Sequence, residues 1–225
     1  MGYGSSYMKD FWEYDPALNM WTRKADFGGT ARTSPVGFSI GNRGYVGTGS
    51  QYSGSYTYYK DFWEYNPALN TWTRKTDFGG TARHYAVGFS IGGKGYIGTG
   101  MDGANTRDFW EYSPTLNTWT RKADFGGTAR RIATGFSIAG KGYIGTGWDS
   151  SERRDFWEYD PALNTWAQRS DFGGTARRDA AGFSIGGKGY IGTGRDNSLY
   201  YKDFWEYDPN PFTDVPSTYG ALITL

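Results

Sequence analysis

An all-β fold of repeated antiparallel blades is what this 225-residue sequence predicts, and three observations carry that reading. The pentapeptide Asp-Phe-Trp-Glu-Tyr begins at Asp10, Asp61, Asp108, Asp155 and Asp203, at intervals of 51, 47, 47 and 48 residues. Gly-Phe-Ser-Ile begins at Gly37, Gly88, Gly135 and Gly182, so a whole unit recurs and not one motif. Inside each unit, aromatic and apolar residues alternate with period two over short runs, and no stretch has the length or the 3.6 period of a helix. A unit of this size cannot bury its apolar face alone, so its neighbours must supply the core.

The unit from Asp61 to Gly100 justifies each strand in turn. Phe62–Tyr65 is a strand with Phe62 and Glu64 on one face and Trp63 and Tyr65 on the other. Asn66-Pro67-Ala68-Leu69-Asn70 supplies a turn, since Pro fixes φ and Asn tolerates left-handed geometry. Thr71–Arg74 is the next strand. Gly88–Ile91 and Gly95–Thr99 flank Gly92-Gly93-Lys94 and read as a tight hairpin, because glycine reaches positive φ without steric cost. Four strands in fewer than 50 residues is the size of one propeller blade. The 35 glycines suit inner strands crowded at a channel, and the aromatic load suits blades packed face to face. A linear β-solenoid is the competing architecture, with shorter and less aromatic turns.

Several motifs resemble the kelch repeat. They are the double glycine after an apolar strand (Gly92-Gly93, Gly186-Gly187), the tyrosine that follows (Tyr96, Tyr190), the D-x-W-x-Y-D/N-P-x-x-N-x-W run, and the later Ala-Arg. The resemblance spans roughly residues 10–208 and implies a kelch-type β-propeller. Two features depart from the pattern: Gly98-Thr99-Gly100 where a second Gly-Gly is common, and Asp77-Phe78-Gly79-Gly80 where Pro is common. Residues 1–225 read as one domain, with units near 10–60, 61–107, 108–154, 155–202 and a partial 203–225. The text starts and stops in mid-blade. Five blades are favoured, with Phe212–Val215 as the last outer strand and Ala221–Leu225 completing the first blade. Four blades, or a fragment of a larger ring completed by a second copy, stay open as alternatives.

Composition narrows the chemistry. Lys plus Arg (24) balances Asp plus Glu (23), which gives no general attraction to nucleic acid. The absence of cysteine excludes disulfides, thiolate metal sites and cysteine nucleophiles. A single histidine, His84, precludes a multi-histidine metal cluster and is expected on a surface loop. No apolar stretch reaches the ~20 residues of a membrane helix, and no signal peptide is visible. A secreted or cell-surface location is slightly favoured over the cytoplasm. No cofactor or metal is expected; Asp102, Asp149 and Asp196 match no calcium-loop spacing.

Comparison of the units locates a candidate binding face. Both tight hairpins barely change between copies. The loops Ser50–Tyr59, Met101–Arg107, Trp148–Arg154 and Arg195–Tyr201 differ throughout, as do Thr33–Pro35, His84–Ala86, Arg131–Ala133 and Arg178–Ala180. Alternation of connections in a meander assigns both variable sets to one rim, where a rigid scaffold with diverse loops suits binding. Neutral drift of solvent loops is the plain alternative. The kelch resemblance implies that Arg32, Arg83, Arg130 and Arg177 line a pocket at the channel mouth and grip acidic groups. The residues themselves suggest internal pairing with Asp26, Asp77, Asp124 and Asp171, each six positions upstream. Arg131, Arg178, His84, Tyr85 and Trp148 complete the candidate ligand set, and loop tyrosines (Tyr56, Tyr58, Tyr59, Tyr200, Tyr201) could stack on sugars.

Five equivalent carboxylates, Glu13, Glu64, Glu111, Glu158 and Glu206, argue for one structural role per blade, expected as pairing with Arg74-type residues. Catalysis needs carboxylates made unlike by their surroundings. The expected function is therefore non-catalytic recognition of a protein segment or glycan, with no nucleic acid partner. A structural array that self-associates through incomplete terminal blades, or an engineered one, is the alternative, and a hydrolase or lyase ranks last.

Overall fold

The computed structural model describes residue 2 and residues 6–210. It is all-β, with nineteen strands among the described residues and no helix. A two-stranded hairpin comes first, β1 (Trp12–Asp15) and β2 (Met20–Arg23). The first blade is β3 (Val36–Ile40), β4 (Arg43–Gly47), β7 (Phe62–Asn66) and β8 (Thr71–Lys75), with β5 (Ser50–Tyr52) and β6 (Tyr56–Tyr58) forming a separate hairpin in its long loop. The second blade holds β9 (Val87–Ile91), β10 (Lys94–Gly98), β11 (Phe109–Ser113) and β12 (Thr118–Arg121). The third holds β13 (Thr134–Ile138), β14 (Lys141–Gly145), β15 (Phe156–Asp160) and β16 (Thr165–Arg169). The fourth contributes β17 (Ala181–Ile185), β18 (Lys188–Gly192) and β19 (Phe204–Tyr207).

Every blade is an antiparallel meander in the expected order, so four blades stand in a propeller arrangement. Four is the alternative count. The strands expected to complete a fifth, Phe212–Val215 and Ala221–Leu225, lie outside the described residues. First strands touch in the sequence β3, β9, β13, β17 around a channel, and β17 does not touch β3. The sharp turns follow the glycine argument: Gly92 and Gly93 both take positive φ, at 54° and 79°.

Blade contacts explain the glycine spacing. The Phe38 ring lies against Gly88 and Gly95 of the next blade, Phe89 against Gly135 and Gly142, and Phe136 against Gly182 and Gly189. A Cβ on Gly95 would meet the Phe38 ring at 2.5 Å, so the knob requires its glycine socket. The outer strands repeat a second contact. Phe62 packs edge-on against Tyr112 and Trp119, and Phe109 against Tyr159 and Trp166, with centroids 4.8–5.0 Å apart. Phe11 makes the same contact with Tyr65 and Trp72. The β1–β2 hairpin therefore occupies the outer half of a blade preceding the first.

Candidate functional site

The four recurrent arginines are buried inside the blades and do not line the cavity at the channel mouth. Arg32, Arg83, Arg130 and Arg177 are 0–1% exposed, among the most deeply buried side chains of the described residues. Their partners are also not the upstream aspartates. Arg83 forms a fork with Asp108, its Nη1 and Nη2 donating to Oδ1 at 2.5 Å and Oδ2 at 2.8 Å. Its remaining N–H groups reach the carbonyls of Thr81 and Thr99 and the hydroxyls of Thr106 and Thr81. Arg32–Asp61, Arg130–Asp155 and Arg177–Asp203 repeat the fork. Each aspartate also accepts an indole N–H two residues on, as Trp110 to Asp108. Burial would raise the Asp108 pKa, but the Arg83 hydrogen bonds and charge outweigh it and hold it below the carboxylate range. Asp203, exposed on one side, is drawn down to about 2 by the Arg177 hydrogen bonds.

The clasp has a local purpose. Thr48, Thr99, Thr146 and Thr193 sit at φ of 58–60°, a strained region for a β-branched residue. In each blade the arginine Nη1 donates to that threonine's carbonyl and holds the turn into the variable loop. Asp26, Asp77 and Asp124 instead pair with Arg23, Arg74 and Arg121 at the surface, and Asp171 pairs with Arg154. Glu64, Glu111 and Glu158 each accept a tyrosine hydroxyl, Tyr96 to Glu111 at 2.6 Å for example, and pair with Lys75, Lys122 and Arg169, not with the Arg74 position; Glu13 pairs with Lys24, and Glu206 with Tyr190 and Lys188. The partners of Glu64, Glu111 and Glu158 are equivalent from blade to blade.

The two variable segments of each unit meet as the alternation predicts. Isolated bridges join Thr33 to Ser50, His84 to Met101, Arg131 to Trp148 and Arg178 to Arg195. The residue after each bridge takes left-handed φ: Ser34 at 52°, Tyr85 at 55°, Ile132 at 57° and Asp179 at 59°. Backbone bonds then run from unit to unit, Tyr85 N–H to Ser34, Ile132 N–H to Tyr85 and Asp179 N–H to Ile132. This rail of non-glycine left-handed residues holds the rim of the channel in shape.

A cavity of about 490 Å³ opens there, lined by Tyr56, His84, Tyr85, Met101, Arg131, Ile132, Trp148, Arg178, Arg195 and Asn197. Grooves of about 650 and 570 Å³ at the periphery recur with the repeat and are lined by invariant text such as Gly126-Gly127-Thr128 and Gly79-Gly80-Thr81. The rim cavity is built entirely from the variable segments, whereas the two grooves combine invariant text with loop residues such as Glu152, Arg153, Asp102 and Thr106. Five expected site residues come together in the rim cavity: His84, Tyr85, Arg131, Trp148 and Arg178. Sequence reasoning missed Arg195, Asn197, Met101 and Ile132, although all four lie in the variable segments.

The cations of the cavity are not equivalent. Arg178 is bound to Glu152 and Asn197, and Arg195 to Asp179. Arg131 has no carboxylate partner among the described residues; its guanidinium stacks 4.2 Å over Trp148 and donates to Met101 Sδ and Asn105 Oδ1. It is the uncompensated charge, held in place by an aromatic face. His84 is 3% exposed, not the surface residue expected. Its Nδ1 lies 2.9 Å from Ser50 Oγ, the Tyr56, Tyr58 and Tyr85 rings surround it, and Nε2 has no hydrogen-bond partner among the described residues. Burial, then the Arg131 charge, lowers its pKa to about 4, so it is neutral at physiological pH. The other loop tyrosines disperse: Tyr59 and Tyr201 cover Arg32 and Arg177 at 4.1 and 4.2 Å, and Tyr200 is exposed. Asp102, Asp149 and Asp196 accept hydrogen bonds from Thr81, Thr128 and Tyr201. No cluster of three potential metal ligands occurs among the described residues, and no helix is long and apolar enough to cross a membrane.

No protein-family profile matches this sequence, and no curated protein does. Among solved structures, the chain is similar to that of YjhT with a TM-score of 0.72 at 16% identity, over 86% of this chain and 68% of that one. At that identity the likeness concerns the fold, and with the blade topology it establishes a β-propeller arrangement.

Proposed function

We propose that this chain is a non-catalytic binding module of the kelch type that recognises an acidic protein segment or an acidic glycan in the rim cavity. One observation carries the reading: Arg131, pinned over Trp148, is the only cavity arginine without a carboxylate partner among the described residues. A preformed guanidinium at a partly desolvated site gives a charge-assisted, bidentate hold on a carboxylate. The Tyr56 and Trp148 faces offer stacking surfaces for a sugar ring or peptide side chain. Neutral His84 and the left-handed rail keep the walls rigid, which limits the ordering cost of binding. The kelch assignment is supported by the Gly-Gly, D-x-W-x-Y and Ala-Arg text, and the non-catalytic assignment by per-blade glutamates with equivalent partners.

An array of acidic peptides and glycans, probed with the wild-type chain and with Arg131→Gln, tests this. Loss of one charged hydrogen-bonding partner corresponds to roughly tenfold weaker binding or more. Equal binding by both proteins, or no bound acidic ligand at all, contradicts it.

A further inference from the structure

The internal junctions show what a finished blade looks like, and among the described residues the last junction lacks one part. Trp166 packs against both Phe109 and Phe125, and its indole N–H donates to the Ala123 carbonyl. The Ala123 N–H in turn donates to Asn164 Oδ1, in the turn before that strand. Trp72 with Asn70 and Trp119 with Asn117 repeat the arrangement. One unit on, Phe156, Phe172 and Gly173 take the places of Phe109, Phe125 and Gly126, and a cavity of about 140 Å³ replaces the tryptophan. Ser170, in the place of Ala123, has no such partners among the described residues. Ten residues after Phe204, where each other unit has Trp, stands Asp214, and residues 211–225 contain no tryptophan.

The missing part exists elsewhere in the chain. The β1–β2 hairpin carries Asp10, Phe11, Tyr14, Asn19 and Trp21 at the same spacing as Asp155, Phe156, Tyr159, Asn164 and Trp166. Trp21 is 65% exposed, and Asp10, equivalent to the clasped aspartates, accepts the Trp12 indole N–H and has no arginine partner among the described residues. Two further features are unfilled. Among the described residues, Phe183 is 41% exposed without a glycine socket, and Gly37 and Gly44 have no ring of another blade against them.

We infer that the β1–β2 hairpin of one copy completes the β17–β18 half-blade of a second copy, displacing β19. Displacement is required because β1 and β19 hold the same place in their blades: Phe11 lies on Tyr65 and Trp72 where the strand-three phenylalanine of a preceding blade belongs. It is feasible because both strands read Asp-Phe-Trp-Glu-Tyr-Asp-Pro, so register is kept. The exchange brings Trp21 to the cavity, Asn19 to Ser170, Asp10 to Arg177 and Phe183 to Gly37 and Gly44 of the incoming copy. The hairpin of the same chain touches neither β17 nor β18, so the occupant is a second copy. Reciprocal exchange closes an eight-blade ring, within the range of propellers.

The chain has no cysteine, so paired substitutions report cleanly. Tyr190 lies opposite Glu206 on β19, and Glu13 holds the Glu206 place on β1. A protein carrying Glu13→Cys mixed with one carrying Tyr190→Cys is expected to give an oxidised heterodimer, in yield rising with concentration. The yield is expected to fall at least tenfold when Trp21→Ser, a solvent-facing change that spares the fold, is added to the first. No heterodimer above a Glu158→Cys control overturns the inference. So does a Glu13→Cys/Tyr190→Cys chain that crosslinks only within itself.

Discussion

The strand text Phe-Trp-Glu-Tyr occurs both in β11, between two complete blades, and in β19, at the end of the array. Phe109 of β11 is 0% exposed, whereas Phe204 of β19 is 60% exposed. The residues on either side differ little, so composition does not decide burial here; the presence of a neighbouring blade does. Tyr112 and Tyr14 make the same point on the opposite face, buried in one case and exposed in the other. In such an array stability is a sum of units and nearest-neighbour interfaces. Among the described residues, the β1–β2 hairpin and the last unit each contact one neighbouring blade where the internal units contact two.

Paired truncations sharpen the contrast most. Phe109→Ala leaves a void between Phe89, Tyr96, Tyr159 and Trp166 and is expected to cost about 3–5 kcal/mol. Phe204→Ala is expected to cost under about 1 kcal/mol in dilute solution. Urea denaturation of both proteins checks this, and equal losses would break the comparison.

The junction between the first and second units can be read through pH. His84, enclosed by Ser50, Tyr56 and Tyr58 of the preceding unit, titrates at about 4 when folded and near 6.5 when unfolded. The unfolded chain therefore binds the extra proton, and its stabilising contribution is complete above pH 6.5. It is lost progressively as pH falls from 6.5 to 4, by up to about 3 kcal/mol. Denaturation across that range should show the slope, and His84→Phe should flatten it. The lowered pKa values of Asp61, Asp108 and Asp155 add further loss only at lower pH, as protonation breaks their arginine forks.

Glycine sockets give the smallest of these effects. Gly95→Ala drives a methyl into the Phe38 ring and is expected to cost about 1–3 kcal/mol. Gly44→Ala, whose nearest foreign atom is Tyr65 Cβ at 3.6 Å, is expected within about 0.5 kcal/mol of neutral. Thermal melts of the pair separate a filled socket from an open one.

Much of this architecture was legible because the repeat reports its own strands. Phe62–Tyr65 and Gly88–Ile91 fall within one residue of the observed β7 and β9. The variable rim was legible from the copies alone, since a meander alternates its loops. The arginine forks were not: Asp26 is near Arg32 in sequence, but Asp61 reaches it through the fold, across the long β4–β7 loop. Proximity along the chain was the wrong guide, although Asp61-type residues recur as faithfully as the Asp26 type. His84 was misplaced for a related reason. Its cover comes from β5–β6 of the preceding unit, a hairpin hidden in a loop with no equivalent of its length elsewhere in the chain. The separation of Arg131 from Arg178 and Arg195 depends on which carboxylates lie alongside, which only the folded rim defines.

Amide hydrogen exchange followed across a concentration series tests most directly whether neighbours, not local sequence, hold each blade. The account predicts that β11 is protected equally at every concentration, that β1 and β2 gain protection as concentration rises, and that β19 loses it in step. Protection of β1 equal to that of β11 in dilute solution, or protection of β1 and β19 that ignores concentration, would contradict it.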